Sequence, residues 1–82
     1  MSRNAYSTPP GHAEDEPLRQ IARVLRDERK RRGLTQAQFA ELLGLTRPYV
    51  SQLESGHGTT QLRRLLQALN AIGVDLIAQP RR

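Results

Sequence analysis

LLGLTRPYVSQLESG, residues 42–56, sets two short helix-forming runs on either side of a Gly44-Leu45-Thr46 interruption. Upstream, Thr35 suits the N-cap of a helix whose apolar residues Ala37, Phe39, Ala40, Leu42 and Leu43 run on to Gly44. Downstream, Thr46 offers a second N-cap, with Pro48 in the first turn, where a missing amide hydrogen does no harm. Val50 and Leu53 then face inward, and Ser55-Gly56 closes the second run. Counted from Gln36, Ala40 is fifth, Gly44 ninth, Val50 fifteenth and Leu53 eighteenth. A small residue at Ala40 lets the two helices approach closely. Gly44 takes the positive backbone angle of a sharp turn, and Val50 and Leu53 fill the angle between the helices. This is the pattern of a helix-turn-helix, which holds its second helix proud of the body and able to enter a DNA major groove.

Outward from that core, Leu18, Ile21, Ala22 and Leu25 recur at three and four, so a first helix is expected from about Leu18 to Arg32, capped at Gly33. Beyond the loop SGHGTT, Leu62, Leu65, Leu66, Leu69 and Ile72 form the strongest helical stripe, and this fourth helix is expected to be the central core element. Gly73 ends it. VDLIAQ alternates Val74, Leu76 and Ala78 against Asp75, Ile77 and Gln79, then meets Pro80, so it reads as one short strand with no partner in the chain. The expected organisation is a flexible arm over 1–17, rich in proline and without apolar periodicity, a helix-turn-helix domain over 18–73, a dimerisation strand over 74–79 and a basic tail over 80–82. The fold class is mainly α: four helices with one short C-terminal strand that pairs across a homodimer.

Composition narrows the function. Eighty-two residues allow one small domain, which gains stability from burying surface against a partner. With no cysteine and two isolated histidines, neither a disulfide framework nor a metal site is expected, and no cofactor is implied. No apolar run approaches the roughly 20 residues of a membrane span, and the polar opening lacks a signal peptide's apolar region, so a cytoplasmic, nucleoid-associated protein is expected. From Leu18 onward twelve Lys and Arg oppose five Asp and Glu, an excess suited to a polyanion or simply to solubility. Nothing supplies a nucleophile with an adjacent base and orienting acid, so no enzyme is expected.

The stretch RDERKRRGLTQAQFAELLGLTRPYVSQLESG resembles the Cro/C1-type (Xre-like) helix-turn-helix repressors in its Leu-Thr-Gln, Ala, Leu-Gly, hydroxyl N-cap and Glu-x-Gly pattern. Within that family, TTQLRRLLQALNAIGVDLIAQ looks most like the HipB-type antitoxins. The resemblance covers roughly residues 18–79. It implies a four-helix, lambda-repressor-like DNA-binding domain in a homodimer joined by C-terminal strands through Val74, Leu76, Ile77 and Ala78. It also implies autorepression and a HipA-like kinase toxin as partner, though the chain has only three residues after Gln79 for any longer toxin contact; two-fold pairing of the strand would set two recognition helices one DNA turn apart, so a palindromic operator is expected.

By position in the family pattern, Arg47, Pro48, Ser51 and Gln52 fall where bases are read: Arg suits guanine, Gln suits adenine, and Pro48 offers only apolar contact. Gln36, Thr46, Tyr49, Ser55, His57 and Thr59 fall where the backbone is gripped. Tyr49 has packing beneath the helix as its alternative, and Ser55, His57, Thr59 and Thr60 include the cap of the fourth helix. Arg29 and Glu54 correspond to an interhelical ion pair. A stand-alone repressor without a toxin, or a protein-interaction adaptor built on the same domain, are the competing functions.

Overall fold

The computed structural model describes residues 14–81; residues 1–13 of the arm expected over 1–17 lie outside them, and its last three residues, 15–17, are helical instead. Four helices follow in order: α1 Asp15–Arg31, α2 Gln36–Leu43, α3 Arg47–Glu54 and α4 Thr60–Ala71. Helix α1 starts three residues before the expected Leu18. Pro17 falls in its first turn, where backbone amides have no intrahelical partner, so the proline starts the helix rather than breaking it. Asp15 and Glu16 complement the positive end of the helix dipole, and Arg29, Lys30 and Arg31 the negative end.

Helices α2, α3 and α4 each begin at a threonine whose side chain accepts a backbone hydrogen bond: Thr35 from Gln38, Thr46 from Tyr49 and Thr59 from Leu62. Thr35 goes further. The Gln38 side chain returns to the Thr35 amide at 2.9 Å, closing a reciprocal capping box that the T-x-x-Q spelling announces. Gly44 ends α2 at φ +73°, a left-handed conformation that reverses the chain into α3.

The core sits in the corner of α1, α2 and α3, where Phe39, Ala40 and Val50 are buried and Leu25 and Leu34 pack against them. Leu18 and Ala22 of α1 and Leu66 of α4 are the other buried apolar side chains among the described residues. The expected central role of α4 is therefore corrected. Of its stripe only Leu66 is buried, while Leu65 is 53% and Ile72 73% exposed. Periodicity shows that a helix has an apolar face but not whether anything covers it.

The expected strand over 74–79 is also absent. Residues 74–80 run without turn, bend or ladder, because no second strand exists among the described residues to pair with them. The segment instead lies beside the body, with the Val74 amide donating to the Leu69 carbonyl at 2.8 Å and the Ala78 amide to Gln20 Oε1 at 3.2 Å. Between it, α1 and α4 is an open groove of about 290 Å³ with Pro17, Leu66, Leu69, Val74, Leu76 and Ile77 in its walls. Among the described residues no helix is long and apolar enough to cross a membrane.

Candidate nucleic-acid interface

Helix α3 is held along one edge and open along the other. Val50, 1% exposed, and Glu54, 4% exposed, lie one turn apart and face the body, whereas Arg47, Pro48 and Gln52 are exposed and Tyr49, Ser51 and Leu53 half-buried. The anchor at its C-terminal end is polar. Arg29 grips Glu54 through both carboxylate oxygens, Nε to Oε2 at 2.8 Å and Nη2 to Oε1 at 3.0 Å, while its Nη1 donates to the Leu34 carbonyl at 3.1 Å. Gln36 Nε2 adds a third donor to the carboxylate at 3.1 Å, and Arg26 Nη1 donates to the Glu54 backbone carbonyl at 2.6 Å. Burial by itself would push the Glu54 carboxyl up. The hydrogen bonds from Arg29 and Gln36, with the charges of Arg29 and Arg26, outweigh it and hold the group below the usual carboxylate value. A buried carboxylate left without these donors would be costly, so the arrangement fixes the angle at which α1 presents α3.

The loop after α3 is also pre-formed. Gln52 Nε2 donates to the Gly58 carbonyl at 2.7 Å, Ser55 Oγ donates to the Gln52 carbonyl at 2.6 Å, and Ser55 Oγ lies 2.9 Å from His57 Nδ1. Arg63 Nη1 reaches back from α4 to the His57 carbonyl at 2.7 Å. Gly58 is buried at φ +68°, and a Cβ there would come within 2.5 Å of Leu18 Cδ2, so the loop is pressed against α1 where only glycine fits.

Pro48 and Gln52, one turn apart, thus lie on the exposed side of α3; Arg47 is exposed where the helix opens, and Ser51, one turn after it, is half-sunk. Arg47 makes no hydrogen bond or ion pair among the described residues and is free to meet a ligand, whereas the Gln52 amide nitrogen is already tied to the loop and leaves its oxygen open. Gln36 opens α2, but its side-chain nitrogen is turned inward onto Glu54, so the amide groups of the helix start are what it offers outward. The Thr46 and Thr59 hydroxyls serve as caps; Tyr49 is half-buried; Ser55 and His57 sit exposed on the loop.

Sequence reasoning missed Arg26, Gly58, and a second polar anchor in which the buried Glu14 carboxylate meets Gln67 at 3.1 Å and Arg63 at 3.4 Å. No spacing rule finds such pairs, since their partners lie far apart in the chain.

A helix-turn-helix family model matches residues 25–78, two thirds of the chain. The chain belongs to the Cro/C1-type helix-turn-helix family. It is 40% identical over 52 residues to a propionyl-CoA carboxylase regulator of Cereibacter sphaeroides, a match covering 63% of this chain and 11% of that protein. The chain therefore spans about a tenth of the length of that relative. No solved structure matches. Family and geometry together make α2 and α3 a DNA-binding unit of the transcription-regulator kind.

Proposed function

We propose that the chain is a sequence-specific transcriptional repressor that binds operator DNA as a homodimer. The observation that carries the reading is the open first turn and outer side of α3: among the described residues Arg47 makes no hydrogen bond or ion pair and Pro48 and Gln52 are exposed, while Val50 and Glu54 hold the helix to the body. Arg47 and Gln52, with Ser51 and Pro48 beside them, read base edges in the major groove, and the α2 start, Thr46, Tyr49 and the 55–59 loop set the helix against phosphates. The second half-site is met by a second copy, joined through residues 74–79, which places two recognition helices roughly 34 to 36 Å apart on a palindrome.

Gel shifts with the DNA upstream of the gene test this. Affinity is expected to fall as salt rises, with each neutralised phosphate adding roughly 0.9 to the log-log slope. Arg47→Ala should relax preference at one base pair at a cost of about 1 to 3 kcal/mol, while His57→Ala on the exposed loop weakens operator and random DNA alike. Equal losses for both variants on both DNAs would refute this division of roles, and salt-insensitive or undetectable binding would favour the protein-interaction adaptor.

Two finer readings divide on the partner. The likeness of residues 59–79 to the HipB-type antitoxins supports an autoregulating antitoxin bound to a HipA-like kinase toxin. The likeness to a stretch of a propionyl-CoA carboxylase regulator supports a stand-alone repressor. A kinase gene beside this one whose product co-purifies with the chain decides for the first; no such neighbour decides for the second.

A further inference from the structure

Resting on the homodimer reading above, we infer that the segment after α4 pairs antiparallel with its own copy in one register, centred on Ala78, with Asp75 of each chain opposite the second copy's Arg81. The argument starts from which edge of the segment is already used. Val74 and Ala78 both send their amides inward, to the Leu69 carbonyl and to Gln20 Oε1. Successive amides of an extended chain point to opposite edges, so Val74, Leu76 and Ala78 share the inner edge and Asp75, Ile77 and Gln79 the outer one. Among the described residues the amides of Asp75, Ile77 and Gln79 make no hydrogen bond. The outer edge is an open ladder template. Pro80 does not close it, because its missing N–H belongs to the inner edge, where a proline costs the ladder nothing.

Of the two-fold registers that use that edge, those centred on Ile77 and Ala78 pair the most of the segment. Centring on Ile77 sets Asp75 against Gln79 and Arg81 against Gly73, leaving both charges without an opposite. Centring on Ala78 sets Ile77 against Gln79, Leu76 against Pro80 and Asp75 against Arg81. Asp75 and Arg81 are exposed, have no ion-pair partner among the described residues, and stand three positions either side of Ala78. A strand carrying opposite charges at equal distances from one residue is complementary to itself, the requirement of an isologous interface. That symmetry commits the edge to a second copy. The same pairing brings the 69%-exposed Ile77 and its copy together at the mouth of the groove beside α4.

The chain contains no cysteine, so single introduced thiols report the register directly. In the register centred on Ala78, the two copies of residue 78 form a non-hydrogen-bonded pair with Cα atoms about 4.5 Å apart. That falls within the roughly 4.4 to 6.8 Å a disulfide spans. The two copies of residue 77 are then diagonal neighbours about 7 to 8 Å apart. Mild oxidation of the full chain should cross-link Ala78→Cys and leave Ile77→Cys monomeric on a non-reducing gel. Asp75→Arg should weaken dimerisation in sedimentation by roughly 5- to 10-fold, and adding Arg81→Asp should restore it. Cross-linking of Ile77→Cys in preference to Ala78→Cys, or no rescue by the double reversal, overturns the register while a tail-dependent dimer stands. A dimer that survives removal of residues 74–82 overturns the joining of the two copies through that segment, and the register with it.

Discussion

Replacing Glu54 with alanine removes one acceptor group and strands three donors, Arg29 Nε, Arg29 Nη2 and Gln36 Nε2, in a half-buried site. The expected cost is about 3 kcal/mol, the lower end for breaking a buried pair because Arg29 keeps 16% of its side chain in solvent. Urea unfolding of Glu54→Ala at neutral pH checks it. The same carboxylate makes stability depend on pH. Its folded value lies below the ordinary 4.5, so the unfolded chain binds the proton more readily. The contribution is complete above about pH 4.5 and drains away as pH falls through the lower folded value. Glu54→Gln should flatten that part of the profile, and urea midpoints for both proteins between pH 7 and 3 that fall in parallel would contradict it. Two glycines separate strain from collision. At Gly44 an added Cβ meets nothing within 4 Å, so Gly44→Ala should cost only the left-handed penalty, about 1 kcal/mol. At Gly58 the same strain is joined by the contact with Leu18, and Gly58→Ala should cost about 2 to 3 kcal/mol. Paired thermal melts rank the two.

At the scale of elements, α2 and α3 have eight residues each and do not stand alone; caps and packing hold them. Thr35→Ala opens the capping box and should cost about 1 kcal/mol, with amide exchange accelerating in α2 before α1. The caps at Thr35 and Thr46 are legible in the sequence because capping is local chemistry, decided within four residues; Thr59 is legible only as one of four residues able to cap α4. The start of α1 was not, because a proline reads alike as a break or as a first turn, and what settles it is the docking of Glu14 onto Arg63 and Gln67, some fifty residues away. Helix α4 makes the complementary point. Its stripe predicts an amphipathic helix, yet only Leu66 reaches the core. Leu66→Ala should cost about 2 to 3 kcal/mol, whereas Ile72→Ala, measured on dilute monomer, should stay within about 0.5 kcal/mol of the parent. Equal losses at the two positions would mean that α4 packs more deeply than the exposure of Ile72 allows.

For the whole molecule, the sequence by itself determined the helix-turn-helix and the positive body, since both are written in short-range terms: a threonine cap, a small residue, a glycine turn, two inward apolar residues, and an excess of basic side chains. It also placed Pro48 with Gln52, and Arg47 with Ser51, one turn apart on α3, because 3.6-residue periodicity needs no tertiary knowledge. Only the tertiary structure decided which of those side chains are free. Among the described residues Arg47 is unpaired, while the amide nitrogens of Gln52 and Gln36 are drawn to Gly58 and Glu54, six and eighteen residues away. The segment after α4 divides in the same way. Alternation marked it as strand-like, but the direction of each amide depends on where Leu69 and Gln20 stand in space, and that placement leaves one edge open. The physical reason is common to all these cases. Caps, turns and periodicity are settled by neighbours along the chain, whereas the availability of a polar group is settled by whatever the fold brings within three ångströms of it.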